Sequence, residues 1–518
     1  MKRRKLYIVM IALAVIVTAG TSILAFMILS DQNEANHTNI EQTNMSPALE
    51  NEEETSPIET PEPTYPEEDC QPDEYPQLEE PLPERVLPEL SEGLIRWHIY
   101  PTWNFDQVFN FSEGMAGVEY FEIPGIWDSL HTLGYMNRYG EIIIPIDHVH
   151  EAFHYGYMGA PPFIDGRLAL MCQNRGGVGV YSIEGNLIVP FNFHGGWAFS
   201  HGLLAVHRSY PTELGLSYNR AGFIDREGNV VIPFEFDEAM PFSEGRAAVK
   251  RDGYWGFIDT AGEVVIPFII QPAYDDGHGW PIIPRFSNGL VAVSTGERGT
   301  NEYGEWVDNV HWGFMDREGN MAIPFQFTDV RNFSNGLASV GIGYESIWGN
   351  RTVWGKIDIV GNIILPFEYV ALHPYIGGAI YALCMASTSR LYDGNGNIII
   401  PSGRYGDIHL INEERVAVRT IGSWNDTVWG FVDIQGNEII PPQFDAVEQF
   451  TQGFAPVRMG GWETTHDGNR VDNSRWGLID LEGNIVVPIE FDEVRNFSEG
   501  LAWVRFEGYW GLIKIVEE

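Results

Sequence analysis

Apolar and polar residues alternate along most of the chain. In KRDGYWGFIDTAGEVVIPF, Lys250 to Phe268, the alternation runs, turns at a glycine and runs again. Period two puts successive side chains on opposite faces, which predicts strands and not helices. Nearly the same words return in NSRWGLIDLEGNIVVPIEF and NVHWGFMDREGNMAIPFQF. One unit reads FSEG, L-A-x-V, a variable stretch, WGFID, x-x-GN, VVIP and x-x-FD-x-V. LAxV, WGFID and VVIP are three predicted strands. D-x-x-G-N between two of them is a hairpin turn, because its glycine accepts a positive φ. The proline of VVIP limits further pairing. FDEAMPF is either a short fourth strand or an ordered loop, and SEG turns the chain into the next unit.

The Gly of WG marks each unit. It falls at Gly134, Gly179, Gly222, Gly256, Gly313, Gly355, Gly430, Gly477 and Gly511, and Arg390 holds the slot in a degenerate unit. The spacings are 45, 43, 34, 57, 42, 35, 40, 47 and 34 residues, so the minimum unit is 34 residues and the rest is insertion. Three or four strands of this size cannot bury both faces alone and must stack on neighbours. The last unit stops at YWGLIKIVEE without a VVIP strand. The folded part opens with IRWHIYP and FDQV, a third strand without its WGFID. The first strand is therefore expected to complete the last unit. This circular offset predicts an all-β fold of about ten repeats of three to four antiparallel strands, closed as a β-propeller-like toroid. Two smaller propellers or an open β-superhelix are the alternatives. Cys172 and Cys384 lie five units apart, and in one ring they could not bond.

These recurring words resemble the WG-repeat (KWG-repeat) family of bacterial proteins. The resemblance covers roughly residues 91–518, and six slots carry the literal pair, at Trp255, Trp312, Trp354, Trp429, Trp476 and Trp510. It implies a β-rich repeat, often with a membrane-anchored or secreted address, and no particular activity.

The first 90 residues change the picture. MKRRK, residues 1–5, carries four positive charges, and residues 6–29 then run without a charged side chain. Twenty-four helical residues reach about 36 Å, enough for a hydrocarbon core of about 30 Å. An uncleaved transmembrane signal-anchor helix is expected, with the basic flank cytoplasmic and the repeats extracytoplasmic at the bacterial cell membrane. A cleaved signal peptide is the rival reading, but SILAFMILSDQ has no clear small-x-small site. Residues 31–90 hold 18 acidic residues, one basic residue and ten prolines. Such a segment cannot bury enough apolar surface to offset its ordering entropy, so 30–90 is expected to be a disordered acidic linker. Residues 91–518 form the repeat domain. The net charge of −41 excludes nucleic acid, which needs phosphate neutralisation.

Most insertions fall between LAxV and WG. The shortest units take six residues there, and others take 14 to 19. Equivalent hairpins of a stacked array share one face, and variable insertions on one face mark a binding face. Trp127, Trp306, Trp348, Trp424 and Trp462 lie in these insertions. Loop aromatics suit sugar rings or protein hot spots, although packing between hairpins would need the same residues. A second insertion, QPAYDDGHGWPIIPR, adds Asp275, Asp276, His278 and Trp280 as a weaker candidate, against a solvated loop. The Trp of WG recurs with fixed neighbours and reads as packing. The Glu of SEG and the Asp of FD recur too and read as hydrogen-bond formers between turns and units. DGNGNIIIPSGR begins like a calcium loop, but Ile398 and Arg404 stand where Gly and Glu are required. No HExxH, phosphate loop or GxSxG occurs, so no catalytic residue, metal or cofactor is assigned. The expected function is a membrane-anchored binding or scaffold module for extracellular proteins or cell-envelope glycans. A propeller-type glycan hydrolase or lyase is the alternative.

Overall fold

The computed structural model describes residues 87–516 with short gaps, of which 122–130, 151–159 and 272–283 are the longest. The expected anchor at 6–29 and nearly all of the expected linker at 30–90 lie outside the described residues. Among the described residues, no helix is long and apolar enough to cross a membrane. Every named element is a β-strand, arranged in successive small antiparallel sheets, and the architecture is propeller-like.

The Gly256 unit shows the plan. Glu238–Ala239, Ala247–Arg251, Tyr254–Ile258 and Val264–Ile270 pair antiparallel in that order. FDEAMPF thus supplies a real fourth strand, two residues long. Only Asp237 separates that strand from Val230–Phe236 of the preceding unit. In two places even this break is missing. Leu187–Gly196 pairs with strands of both the Gly179 and Gly222 units, and Ile363–Pro374 joins the Gly355 and Arg390 units. One strand therefore serves two sheets.

The pair of words WG and IP has a common cause. Phe257 faces Ile266, but the next matched pair is Trp255 with Ile270. The strand carrying Pro267 therefore bulges, as a residue without an N–H must when it interrupts a ladder. The bulge presses on Gly256, where an added Cβ would stand 2.8 Å from the Ile266 carbonyl oxygen. Only glycine fits. Next to it, the Phe257 ring meets Phe286 of the following unit at 4.8 Å, and Phe314 meets Phe333 in the same way. Each unit's core is completed by its neighbour, as the short unit length requires.

Hydrogen bonds between turns add direction to this stacking. Glu244 takes a φ of 52°, and its carboxylate accepts from the Gly289 N–H of the next unit at 2.8 Å. The Ser243 hydroxyl donates to the Phe286 carbonyl at 2.6 Å. Burial opposes ionisation of Glu244, but Arg317 and the Gly289 N–H outweigh it and hold the carboxyl below its usual range. Glu113 and Glu413 bracket their neighbours likewise, and His201, Asn288 and Gln452 do so with other acceptors. Glu499 of the last unit reaches the Gly114 N–H of the first at 2.7 Å.

The first described strand, Ile95–Trp103, pairs with Tyr509–Ile515 in the sheet of the Gly511 unit. It stands where VVIP stands elsewhere. Pro101 presses on Gly511, where a Cβ would lie 2.9 Å from the Ile99 carbonyl oxygen. The Trp510 indole donates to the Phe105 carbonyl at 3.0 Å, and Trp503 donates to Phe109 at 2.9 Å. Two segments about 400 positions apart thus build one unit, as the incomplete words at each end predict.

Candidate functional site

The hairpins between LAxV and WG are built as expected of insertions. The Gly355 unit runs an unbroken ladder from Leu337↔Asp358 to Ser346↔Gly349. The Gly313 and Gly477 units each carry a separate two-stranded extension, Arg298–Thr300 with Trp306–Asp308 and Trp462–Thr464 with Arg470–Asp472. Trp306 pairs with Thr300, and Trp462 pairs with Asp472. These two candidates therefore lie on hairpin extensions of corresponding place. Trp127, Trp280, Trp348, Trp424, Asp275, Asp276 and His278 lie outside the described residues.

The Trp of WG sits at the base of the hairpin, buried at Trp255, Trp312, Trp354 and Trp510 and half-buried at Trp429 and Trp476. Trp255 and Trp510 are 1% exposed. A cation covers the ring. In the ladder, the residue opposite the Trp is Lys250, Arg419, Arg458 or Arg505, each with its charge 5.4–5.8 Å from the ring centroid. Such a contact contributes about 0.5–1 kcal/mol at exposed sites. The Asp of FD closes the hairpin base: Asp106, Asp445 and Asp492 accept from the N–H of Phe121, Gly460 and Gly508. Asp237 instead pairs with Arg220.

In the Gly313 unit Ser294 faces Trp312 in place of a cation, and the Gly355 and Arg390 units depart further from this regularity. In the Gly355 unit, Gly341 stands opposite Trp354, and the covering cation is Arg331, which follows the short strand Asp329–Val330, at 5.3 Å. Lys356 occupies the position of Phe257, Phe314 and Phe431, and it is 1% exposed. Its ladder partner Ser339 is buried and donates to the Leu372 carbonyl at 3.1 Å. The long strand then brings His373 to the surface, 6.0 Å from the Tyr381 ring. Tyr381 shares a 2.8 Å hydrogen bond with Ser389 and stands 3.5 Å from Asp407. Asp407 holds His409 and Arg419, both at 3.2 Å, and the His409 ring meets Trp429 edge-on.

Burial pushes the Lys356 amine down to about 8. Burial also lowers His373, and the like charges of Arg331, Lys356 and His409 add to the effect. Asp407 is held below its usual range because His409 and Arg419 outweigh its burial. The hydroxyl of Ser389 bonds Tyr381, and His409 bonds a carboxylate, so no Ser–His–Asp relay exists here. Among the described residues, no group of His, Cys, Asp or Glu is placed to hold a metal ion. The arrangement suits holding a ligand by charge. Single-sequence reading passes over it, since its members come from three units. Its one signal is deviation from the repeat: Lys356 for an aromatic, and Arg390 for glycine.

Six stretches match the family described as WG containing repeat: residues 222–255, 255–298, 312–344, 354–383, 429–461 and 476–510. The chain belongs to this repeat family. No curated protein matches it. Solved structures give weak likenesses. Prolyl oligopeptidase B from Galerina marginata is 9% identical, with a TM-score of 0.30 over 76% of this chain and 56% of its own. Puromycin hydrolase is 11% identical, with a TM-score of 0.27 over 76% of this chain and 60% of its own. The β-propeller domain of the Trilobed protease from Pyrococcus furiosus is 10% identical, with a TM-score of 0.28 over 57% of this chain and 95% of its own. The chain spans less than two thirds of the length of the first two.

Proposed function

We propose that the protein is an extracytoplasmic recognition or scaffold module, anchored by residues 6–29 and raised on the acidic segment 30–90. Its ten units form a closed toroid. Support for closure comes from the sheet shared by Ile95–Trp103 and Tyr509–Ile515, and from the Glu499–Gly114 hydrogen bond. The partners are extracellular proteins or cell-envelope glycans, held at the hairpin end. The observation that carries this reading is the placing of the insertions. The repeat is kept where units touch, in WG, IP and SEG, while length and composition vary at one hairpin of each unit. A surface freed from packing in this way can be shaped to a partner.

Binding of the full-length protein to peptidoglycan and to a glycan panel tests the reading, with Trp306 and Trp462 each changed to Ala. Affinity falling about tenfold, which is about 1.4 kcal/mol, at an unchanged melting temperature supports it. Failure to bind any of these, or melting that falls with each Trp lost, counts against it and makes those rings structural.

A further inference from the structure

The protein carries a net charge of −41, yet one part of the hairpin end gathers positive charge. At the junction of the Gly355, Arg390 and Gly430 units, the Arg331 N–H donates to the Ser339 carbonyl at 2.9 Å, and Ser339 faces Lys356 in the ladder and donates to the Leu372 carbonyl beside His373. His373 and His409 stand 6.0 and 6.3 Å from the Tyr381 ring. The carboxylates nearby are already engaged or lie to one side. Asp407 is shared by His409 and Arg419, and Glu368 faces Arg390 at 3.8 Å. Among the described residues, neither Arg331 nor Lys356 pairs with a carboxylate. In two other units the cation beside the Trp is neutralised. Lys250 pairs with Glu238 at 2.7 Å, and Arg495 pairs with Glu493 at 2.7 Å, both beside their Trp.

A buried lysine in a place made for phenylalanine is costly unless something neutralises it. Here the strain is concentrated at one junction and opens to solvent through Arg331, His373 and His409, all exposed. Arg331 and the protonated Lys356 repel one another in the empty state and are relieved by one anion of high charge. A carboxylate brings one negative charge, whereas a phosphate monoester dianion brings nearly two and three acceptor oxygens. The planar guanidinium of Arg331, held over Trp354, is set to fork onto two of them.

We propose that this junction is a phosphate-binding site, in which Arg331 and His373 contact the anion and Lys356 supports it from below. This rests on the reading of the hairpin end as a binding face and gives it a ligand class. Burial, and after it the neighbouring cations, disfavours the protonated His373 ring, and a bound dianion favours it, so binding takes up a proton. Binding therefore tightens as pH falls from 8, until the phosphate itself takes up a proton and loses its second charge.

The test is calorimetric titration of the full-length protein with inorganic phosphate, with a sugar phosphate, and with acetate at equal concentration. The expected result is saturable phosphate binding with proton uptake, seen as a heat that depends on the buffer. Arg331→Gln and His373→Gln each weaken it tenfold or more, and acetate does not compete. A tighter sugar phosphate would show that the site takes the ester, and equal affinities that it takes the free ion. No saturable binding, binding unmoved by both substitutions, or equal competition by acetate would overturn the proposal. If phosphate fails while envelope glycans still bind, only this site is lost. If neither binds, the binding face falls as well.

Discussion

Changing Trp510 to Ala is expected to destabilise the repeat domain by about 3–5 kcal/mol, the range for removing a buried aromatic. Trp510 is 1% exposed and packs edge-on against Trp503 at 6.3 Å. Its indole N–H is donated to Phe105, which follows the first strand, so the substitution also orphans a buried carbonyl. The unit concerned is the one built from both segments, and weakening it loosens Ile95–Trp103 from Tyr509–Ile515. Denaturant midpoints measure the effect. The exposed Tyr254 of the Gly256 unit, changed to Ala, should move stability by no more than about 0.5 kcal/mol. A loss below about 1 kcal/mol for Trp510→Ala would mean that the shared unit contributes little.

Changing Lys356 to Met is expected to stabilise the protein, and the pH dependence carries the sign. The amine titrates at about 8 in the folded chain, against an ordinary 10.5. Below pH 8 it is protonated in both states, and the folded state bears the full cost of the buried charge. Between pH 8 and 10.5 the folded chain releases this proton while the unfolded chain keeps it. The unfolded state then binds more protons, so stability rises with pH across that window. The cost removed at pH 7 is on the order of 3 kcal/mol. The wild-type and Met proteins should therefore differ most at pH 7 and converge towards pH 10. A Met variant less stable at pH 7 would show that a partner already satisfies Lys356. Keeping a destabilising lysine at one unit of ten is understandable if that junction has a ligand.

The strands were legible because period two, the glycine turn and the proline bulge are local features. IRWHIYP and YWGLIKI were legible as one unit because each lacks what the other has, and they pair with Pro101 against Gly511. The fourth strand was ambiguous, since Glu238–Ala239 is two residues long and has no period of its own. The strand shared by two sheets, Ile363–Pro374, was not legible, because its second half pairs only through a neighbouring unit. The SEG glutamates and FD aspartates took the structural roles their recurrence implies. The charged junction escaped notice for the opposite reason. His373, Tyr381, Asp407 and His409 mean nothing one at a time, and only the stacking of units links them in succession, His373 to Tyr381, Tyr381 to His409 and His409 to Asp407. Of the insertion tryptophans, Trp306 and Trp462 fall on the hairpin extensions foreseen for them.

The sharing of one sheet by the first and last strands is the feature on which the proposed closure into a toroid stands, and one cross-link tests it. Arg96 and Lys514 are ladder partners on a surface of that sheet. Paired strand positions lie about 4.5–5.5 Å apart at Cα, within disulfide reach. In the Arg96→Cys, Lys514→Cys protein, mild oxidation should link the two peptides in high yield, read by mass mapping after digestion, without loss of melting temperature. Cysteines that stay unlinked, or that join only between molecules, would contradict the shared sheet and leave an open array.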